Sequence, residues 1–313
     1  MKEMMNSLKE ACSAGIICHI NPDGDTLGSG LALYHAFHSR NIPAVIFCET
    51  PLHTRYQALP GWGVITQNGE EVLKAQTVIT VDCADLRRTG LAEELAERHD
   101  LLNIDHHESN SGFGFAYITK GVSLSESLLE VLETLQWEIT PEIATCLYAG
   151  VVTDSGRFTY LGTRPETLEV GARLMRYGAD WQRVCQAMFH NESLPRMRLL
   201  QLALYGMTFP YDGRVALMTL SIEQMKQAGA EFGDTENFVN FGIDTEQVQV
   251  SVFIQEIKPE ECKVSLRGKA DTRVDGIAKT FGGGGHRLAA GCSLSGTLHE
   301  ACEIILKEIG KWL

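Results

Sequence analysis

No Cys-x-x-Cys pair occurs among the nine cysteines, which are scattered and mostly sit in apolar runs, as Cys18, Cys48 and Cys146 do. An odd number without motif spacing fits neither a disulfide framework nor a zinc finger, and predicts reduced thiols in a cytoplasmic protein. No stretch approaches the ~20 apolar residues of a membrane-spanning helix. The first residues interleave Lys2, Glu3, Lys9 and Glu10 with apolar ones, so the unbroken apolar core of a signal peptide is missing. Positive charge is scarce: 27 Lys and Arg stand against 40 Asp and Glu, a net charge of −13. Such a surface repels polyanions at long range and disfavours long duplex nucleic acid. It leaves room for a short anion in a pocket lined by a metal or by local cations. There is no internal repeat, and the one low-complexity segment is the glycine run at 282–285.

What is present is an alternation of strands and helices. At 313 residues the chain has room for two domains. A short helix at 3–14 precedes a strand over Gly15–Ile20, then a loop, Asn21-Pro22-Asp23-Gly24-Asp25, then a helix with Leu27, Leu31, Leu33 and Phe37 inward. Further strands are expected at 44–48, 77–82 and 101–105, with a helix at 89–98. That alternation implies βαβ units and a parallel sheet with helices on both faces. After Ile118 the pattern turns helical, at 123–137, from Pro141 through Val151, at 165–177 and at 180–189; proline suits a first helical turn. The division predicted is a catalytic α/β domain over 1–188, a helical linker over 189–208 and a smaller mixed-sheet α/β domain over 209–313. In the last, strands at 215–220, 248–255 and 262–267 accompany helices at 274–280 and 297–312.

Four acidic sites stand out. They are His19 with Asp23 and Asp25, then Asp82 with Asp85 nearby, then Asp105-His106-His107, and finally Asp154 after an apolar helix. The first three close apolar strands, and parallel strands deliver their carboxyl ends to one edge of a sheet. Singly, each has a plain reading: Asp82 as a helix cap, Asp23-Gly24 as a turn, a His pair as a solvated strand end. Together they are hard to stabilise, because converging carboxylates repel one another unless a cation holds them. Oxygen ligands with a few imidazoles favour Mn²⁺ or Mg²⁺ over a thiolate-seeking ion. So many acids exceed the needs of one ion; two ions sharing a carboxylate make the clamp used in phosphoryl hydrolysis.

His19-x-x-Pro22-Asp23-Gly24-Asp25, Asp82, Asp105-His106-His107 and Thr153-Asp154-Ser155-Gly156 resemble the four motifs of the DHH phosphoesterase superfamily. Gly282-Gly283-Gly284-Gly285-His286-x-x-Ala289-Ala290-Gly291 resembles the signature of the DHHA1 domain. The blocks span nearly the whole chain, in the family's order. The two-domain length is similar to the NrnA-type branch, whose members degrade very short RNA and dephosphorylate 3′-phosphoadenosine 5′-phosphate. The resemblance implies two Mn²⁺, with Mg²⁺ or Co²⁺ as substitutes. His19, Asp23 and a bridging Asp82 would hold one, and Asp25, Asp82, His106 and Asp154 the other. It also implies that His107 faces the substrate phosphate while Asp105 orients the imidazoles.

The glycine run permits close backbone approach and exposes N–H groups to an anion, above all ahead of a helix N-terminus. With the resemblance, Gly283, Gly284, Gly285, His286 and Arg267 become candidate substrate ligands, holding the end of a nucleotide that does not react. The family's arginine after a Val-Asn pair is absent: Val239-Asn240 continues as Phe241-Gly242-Ile243-Asp244. Arg287, Lys269, Arg157 and Arg164 are the alternative cations, whereas His35, His38, His53, His99 and His299 read as structural or solvated. The expected partner is short single-stranded RNA or a small nucleotide, with a homodimer compatible. A cyclic-di-AMP or linear dinucleotide (pApA or pGpG) phosphodiesterase, a pyrophosphatase-like enzyme and a catalytically inactive nucleotide sensor remain as alternatives.

Overall fold

The computed structural model describes residues 2–98, 100–160, 162–269 and 272–313, so the reading of His99 lies outside the described residues. The chain divides into two compact units, Met1–Asn191 and Glu192–Leu313. In the first, α1 (Lys2–Glu10) leads into β1 (Ala14–Cys18), α2 (Gly24–His38), β2 (Ala44–Phe47) and β3 (Ile65–Thr66). Then come α3 (Gly69–Leu73), β4 (Thr77–Val81), α4 (Ala92–Leu95), β5 (Leu101–Asp105) and β6 (Phe115–Ile118). Helices α5 (Leu124–Thr134), α6 (Pro141–Asp154), α7 (Pro165–Arg176) and α8 (Trp181–Cys185) complete it, with a π-helical turn at Gln186–His190.

All six strands are parallel, in the order β3-β2-β1-β4-β5-β6. The central strands β1, β4 and β5 are buried almost from end to end rather than alternately, because both of their faces are covered. On β1, Ile16 and Cys18 pack into the larger core with Leu27, Leu31 and Phe37 of α2, while Ile17 packs oppositely with Val72, Leu91 and Leu95. The chain runs outward from β1 to β3, then returns to β4 on β1's other side. That reversal opens a crevice between the carboxyl ends of β1 and β4, where open α/β sheets bind ligands.

Helices α2 and α6 lie against each other over the larger core. Gly28 makes this possible: a Cβ there would run into the Cys146 carbonyl and approach Gly150 N at 3.1 Å. The expected helix at 89–98 is not continuous. It splits into a 3₁₀ turn at Leu86–Thr89 and the single-turn α4, because Gly90 adopts a left-handed conformation, φ 74°, between them.

The second unit holds α9 (Leu194–Tyr205), β7 (Val215–Leu220), α10 (Ile222–Ala228), α11 (Phe238–Ile243), β8 (Val250–Lys258) and β9 (Glu261–Gly268). It ends with α12 (Val274–Thr280), β10 (Gly284–His286), β11 (Ala289–Ser295) and α13 (Leu298–Ile309). The sheet is mixed, in the order β10-β11-β9-β8-β7, with only β7 and β8 parallel. The stretch at 189–208 contributes α9, which buries Leu199 and Ala203 with Met218, Leu220, Phe238 and Phe253. The glycine run does not open a helix. It forms β10, a hairpin partner of β11, so its backbone groups are partly committed to pairing. Among the described residues no helix is long and apolar enough to cross a membrane.

Candidate active site

Three overlapping groups of side chains meet at the crevice beside β1 and β4: His19, Asp23 and Asp82; Asp82, His106 and His107; and Asp25, His106 and Asp154. Within each group the ligand atoms lie inside 4.8 Å of one another. Asp82 and His106 are each shared between two groups. His19 follows β1, Asp82 follows β4, and His106 and His107 follow β5. Asp23 and Asp25 come from the start of α2, where Asp23 is the N-cap and accepts from the Asp25 and Thr26 N–H groups. Asp154 is not at a strand end: it is the last residue of α6, delivered beside Asp25 because α2 and α6 pack so closely.

Each side chain is aimed by a specific contact. The Ile20 carbonyl lies 2.8 Å from His19 Nδ1 and can only accept, so Nδ1 carries the proton and Nε2 keeps its lone pair. Asp82 is 1 % exposed and has φ 55°, a left-handed conformation that asparagine and aspartate tolerate best. Asp25 is wholly buried, and its carboxylate receives the Leu124 and Ser125 N–H groups of α5 at 2.6 and 2.9 Å. Asp105 is used up by other donors. Its oxygens accept from the His106 backbone N–H, from His107 Nδ1 at 2.7 Å and from Asn110 Nδ2 at 2.6 Å.

The donor set fits divalent cations. His106 Nε2 stands 3.2 Å from Asp82 Oδ1, 3.4 Å from Asp154 Oδ2 and 3.8 Å from Asp25 Oδ2. Such spacings are close to the ~3 Å that separates adjacent ligands around an ion with 2.0–2.1 Å bonds. Asp82 Oδ1 is buried and accepts no hydrogen bond of proper geometry despite its nearness to His106. The Thr26 hydroxyl lies 2.6 Å from His19 Nε2, 2.7 Å from Asp82 Oδ2 and 3.1 Å from Asp23 Oδ1. One hydroxyl proton cannot serve three acceptors, so the group is short of positive charge by its own geometry.

The titration of these groups shows the same deficit. Burial, then the charge of Asp82, pushes the Asp25 carboxyl up to about 6. Burial, then the charges of Asp25, Asp23 and Asp82, drives Asp154 well above the ordinary range, although its side chain keeps 21 % exposure. For Asp82, burial acts upward, but the His106 and His19 rings prevail and hold it far below. Burial would lower His106, yet Asp82 and Asp25 raise it to about 9. His107 is likewise raised: the Asp105 hydrogen bond and the Asp82 charge outweigh burial.

In the second unit, strand register places Arg267, Ala289 and His286 in one row across β9, β11 and β10, with their side chains on one sheet face. Gly283 packs so tightly on β11 that a Cβ would strike Gly291 and Cys292, whereas Gly284 is open. A pocket beside this row is lined by Thr235, Asn237, Gln255, Lys263, Ser265 and Arg267.

Residues 13–151 match the DHH family, N-terminal domain, and residues 212–313 match the DHHA1 domain. The bifunctional oligoribonuclease and PAP phosphatase NrnA of Thermus thermophilus is 32% identical over 94% of this chain and 88% of its own length. The chain belongs to the DHH–DHHA1 family. An exopolyphosphatase-related protein from Bacteroides fragilis superposes with a TM-score of 0.93 at 26% identity, covering 100% of this chain and 97% of that one. The exonuclease RecJ bound to manganese shares the fold at a TM-score of 0.55 and 14% identity, covering 100% of this chain and 94% of the other.

Within this DHH–DHHA1 chain several residues at the site escape the motifs. Thr26 carries a weak signal, since it stands three residues after an aspartate N-cap. Ser29 and Ser125, whose hydroxyls lie 3.0 Å apart, join α2 to α5 behind Asp25 and carry none. Arg88 Nη2 lies against the His19 ring, 3.0 Å from Nδ1 and 3.1 Å from Nε2. Of the alternative cations, Arg164 bonds Glu126 at 2.6 Å, Lys269 donates to the Thr245 carbonyl, and Arg157 covers the Phe189 ring. His299 is solvent-exposed, with Glu303 at 3.4 Å on the same face of α13.

Proposed function

We propose that this chain hydrolyses very short oligoribonucleotides to mononucleotides and removes the 3′-phosphate of 3′-phosphoadenosine 5′-phosphate, using two Mn²⁺ ions. That it is a hydrolase of phosphate esters follows from its family. The observation that carries the two-ion reading is the sharing of Asp82 between the His19–Asp23 group and the His106–His107 group. The substrate reading rests on the near full-length relatives named for oligoribonuclease and PAP phosphatase activity.

Two divalent cations, held by His19, Asp23, Asp25, Asp82, His106 and Asp154, would acidify a water and neutralise charge on the reacting phosphate. The chain's own residues prepare that chemistry. The Ile20 carbonyl fixes the His19 tautomer, so Nε2 offers a lone pair without prior loss of a proton. Asp105 accepts a hydrogen bond from His107 Nδ1–H and favours the imidazolium form, which makes His107 a donor to a phosphoryl oxygen as negative charge develops there. The α5 N-terminus clamps Asp25 through two backbone N–H groups, holding its carboxylate in place before any ion arrives.

In the second unit, His286, Arg267 and Gly283–Gly285 would receive the part of the nucleotide that does not react. His286 offers a ring to a base or a donor to a phosphate, and Arg267 offers a charged fork. The test is a substrate panel of 3′-phosphoadenosine 5′-phosphate, di- to pentaribonucleotides and cyclic dinucleotides, each with added Mn²⁺ and with EDTA. Turnover of the first two kinds that requires Mn²⁺ is expected. Cleavage of cyclic dinucleotides alone would move the assignment to that class, and tight binding without turnover would make the chain a sensor.

A further inference from the structure

We infer that Arg88 is a substrate-phosphate ligand of the first unit; the inference rests on the two-cation phosphoesterase reading above. Arg87 and Arg88 are adjacent in the 3₁₀ turn Leu86–Thr89, yet their side chains meet different partners. Asp85 caps the turn, accepts the Arg87 N–H at 2.9 Å and binds the Arg87 guanidinium at 2.6 Å, at a site where the Arg87 side chain is 86 % exposed. Arg88 is partly buried, and its Nη2 rests against the His19 ring. Its backbone is tied to the same place, since the Arg88 carbonyl accepts the Ile20 N–H at 2.7 Å. Side chain and main chain therefore register Arg88 on the loop that carries His19.

The contact with His19 does not satisfy the guanidinium. His19 Nδ1 already carries a proton for the Ile20 carbonyl, so it cannot accept from Nη2. Nε2 is the lone pair that the cation site requires. Among the described residues no carboxylate pairs with Arg88, although Asp23 and Asp82 stand around the same imidazole. Arg87, Arg98, Arg164 and Arg273 each have an acidic partner. Arginine is costly to hold partly buried without an anion, and its planar fork matches two oxygens of a phosphate.

Charge arithmetic at the site points the same way. Asp23, Asp25, Asp82 and Asp154 supply four negative charges, which two divalent cations would cancel. A loaded site is then electrically balanced before substrate arrives, on a protein of net charge −13. An anionic ester needs a surplus of positive charge, and Arg88 supplies it beside the His19 cation position. The ligand class is a phosphoryl group, and the free anion of the same chemistry is inorganic phosphate.

The experiment compares wild type, Arg88→Ala, Arg88→Lys and Arg87→Ala by Mn²⁺ calorimetry, by calorimetric titration of inorganic phosphate into Mn²⁺-loaded protein, and by kcat and KM. Arg88→Ala should weaken phosphate binding about tenfold and lower kcat/KM about 10²-fold, with Mn²⁺ affinity within about threefold of wild type. Arg88→Lys should recover part of both, and Arg87→Ala should match wild type throughout. The lysine variant keeps the question open to measurement should the alanine variant fold poorly. Phosphate affinity unchanged in either Arg88 variant would overturn the inference. So would a loss of Mn²⁺ affinity large enough to account for the activity, since Arg88 would then merely position His19. A wild type that cleaves no phosphate ester would defeat the reading beneath, while the phosphate titration would still decide the role of Arg88.

Discussion

Replacing Gly150 by alanine should damage the cation site far more than the fold. Gly150 lies in α6, four residues before Asp154, and faces α2 and α5. A methyl group there would overlap Ser125 Oγ and Asp25 Oδ1 and would sit 2.7 Å from Ser125 Cβ. Two relaxations are open. Asp25 could swing away, losing two charge-assisted bonds from Leu124 and Ser125 at roughly 1.5–3 kcal/mol each. Alternatively α6 could move off α2 and α5, an overpacking cost of about 1–3 kcal/mol. The second is cheaper, and alanine returns about 1 kcal/mol of helix propensity. The net destabilisation is then about 0–2 kcal/mol, a fall in Tm of no more than ~8 °C for a unit of this size. A helix shift approaching 1 Å separates Asp154 from Asp25, and displacements of that scale cost about 10²-fold in turnover. Thermal melting, Mn²⁺ calorimetry and hydrolysis of a diribonucleotide check all three quantities. A Gly150→Ala protein that binds two ions with wild-type affinity and keeps activity within about threefold would refute the reasoning.

Asp82→Asn retains a residue that tolerates the left-handed backbone but removes the shared charge, so metal analysis should find fewer than two ions per folded chain; two would contradict a bridging role. EDTA should abolish hydrolysis and Mn²⁺ should restore it best. Mn²⁺ at about 100 times its dissociation constant should also stabilise the first unit by about 2.7 kcal/mol, visible as a Tm rise of roughly 5–10 °C; an unchanged Tm would argue against tight binding. His107→Ala should lower kcat about 10²-fold or more on every substrate, including bis-p-nitrophenyl phosphate. His286→Ala should mainly raise KM for nucleotides and spare that minimal ester, and equal losses on both would remove the second unit's assignment as a nucleotide holder.

The sequence made some of this site legible because the signal there is contrast. His19, Asp82 and Asp105 each close a run of buried strand residues, and a polar residue at that position has few structural excuses. Asp154 was visible for the same reason, though its carrier is a helix, and its meeting with Asp25 depends on Gly28 and Gly150. Those glycines look like ordinary members of apolar helices until a Cβ is placed on them. Arg88 was not legible at all. Its neighbour Arg87 has the same chemistry, and only the Asp85 cap, which binds one of the two, distinguishes them. At the glycine run the sequence announces a close approach but not to what: at Gly283 it is to β11, within a hairpin.

The carboxylates also explain why the fold and the cations are coupled. Asp25, with a folded-state pKa of about 6 against 3.8 when unperturbed, detracts from stability increasingly as pH rises from 3.8 to about 6, and fully above that. His106, raised to about 9 from 6.5, does the opposite: its contribution is complete below 6.5 and disappears as pH rises through about 9. Near neutrality the His106 imidazolium proton, facing Asp82, Asp154 and Asp25, therefore offsets part of the carboxylate repulsion in the metal-free cluster. Raising the pH removes that proton while leaving the repulsion in place. A divalent cation bound by the same nitrogen and oxygens replaces one charge with two and needs no proton. Hence the advantage of the loaded state should widen as pH climbs from 6.5 towards 9, the window in which the metal-free protein loses the His106 counter-charge between Asp82, Asp154 and Asp25.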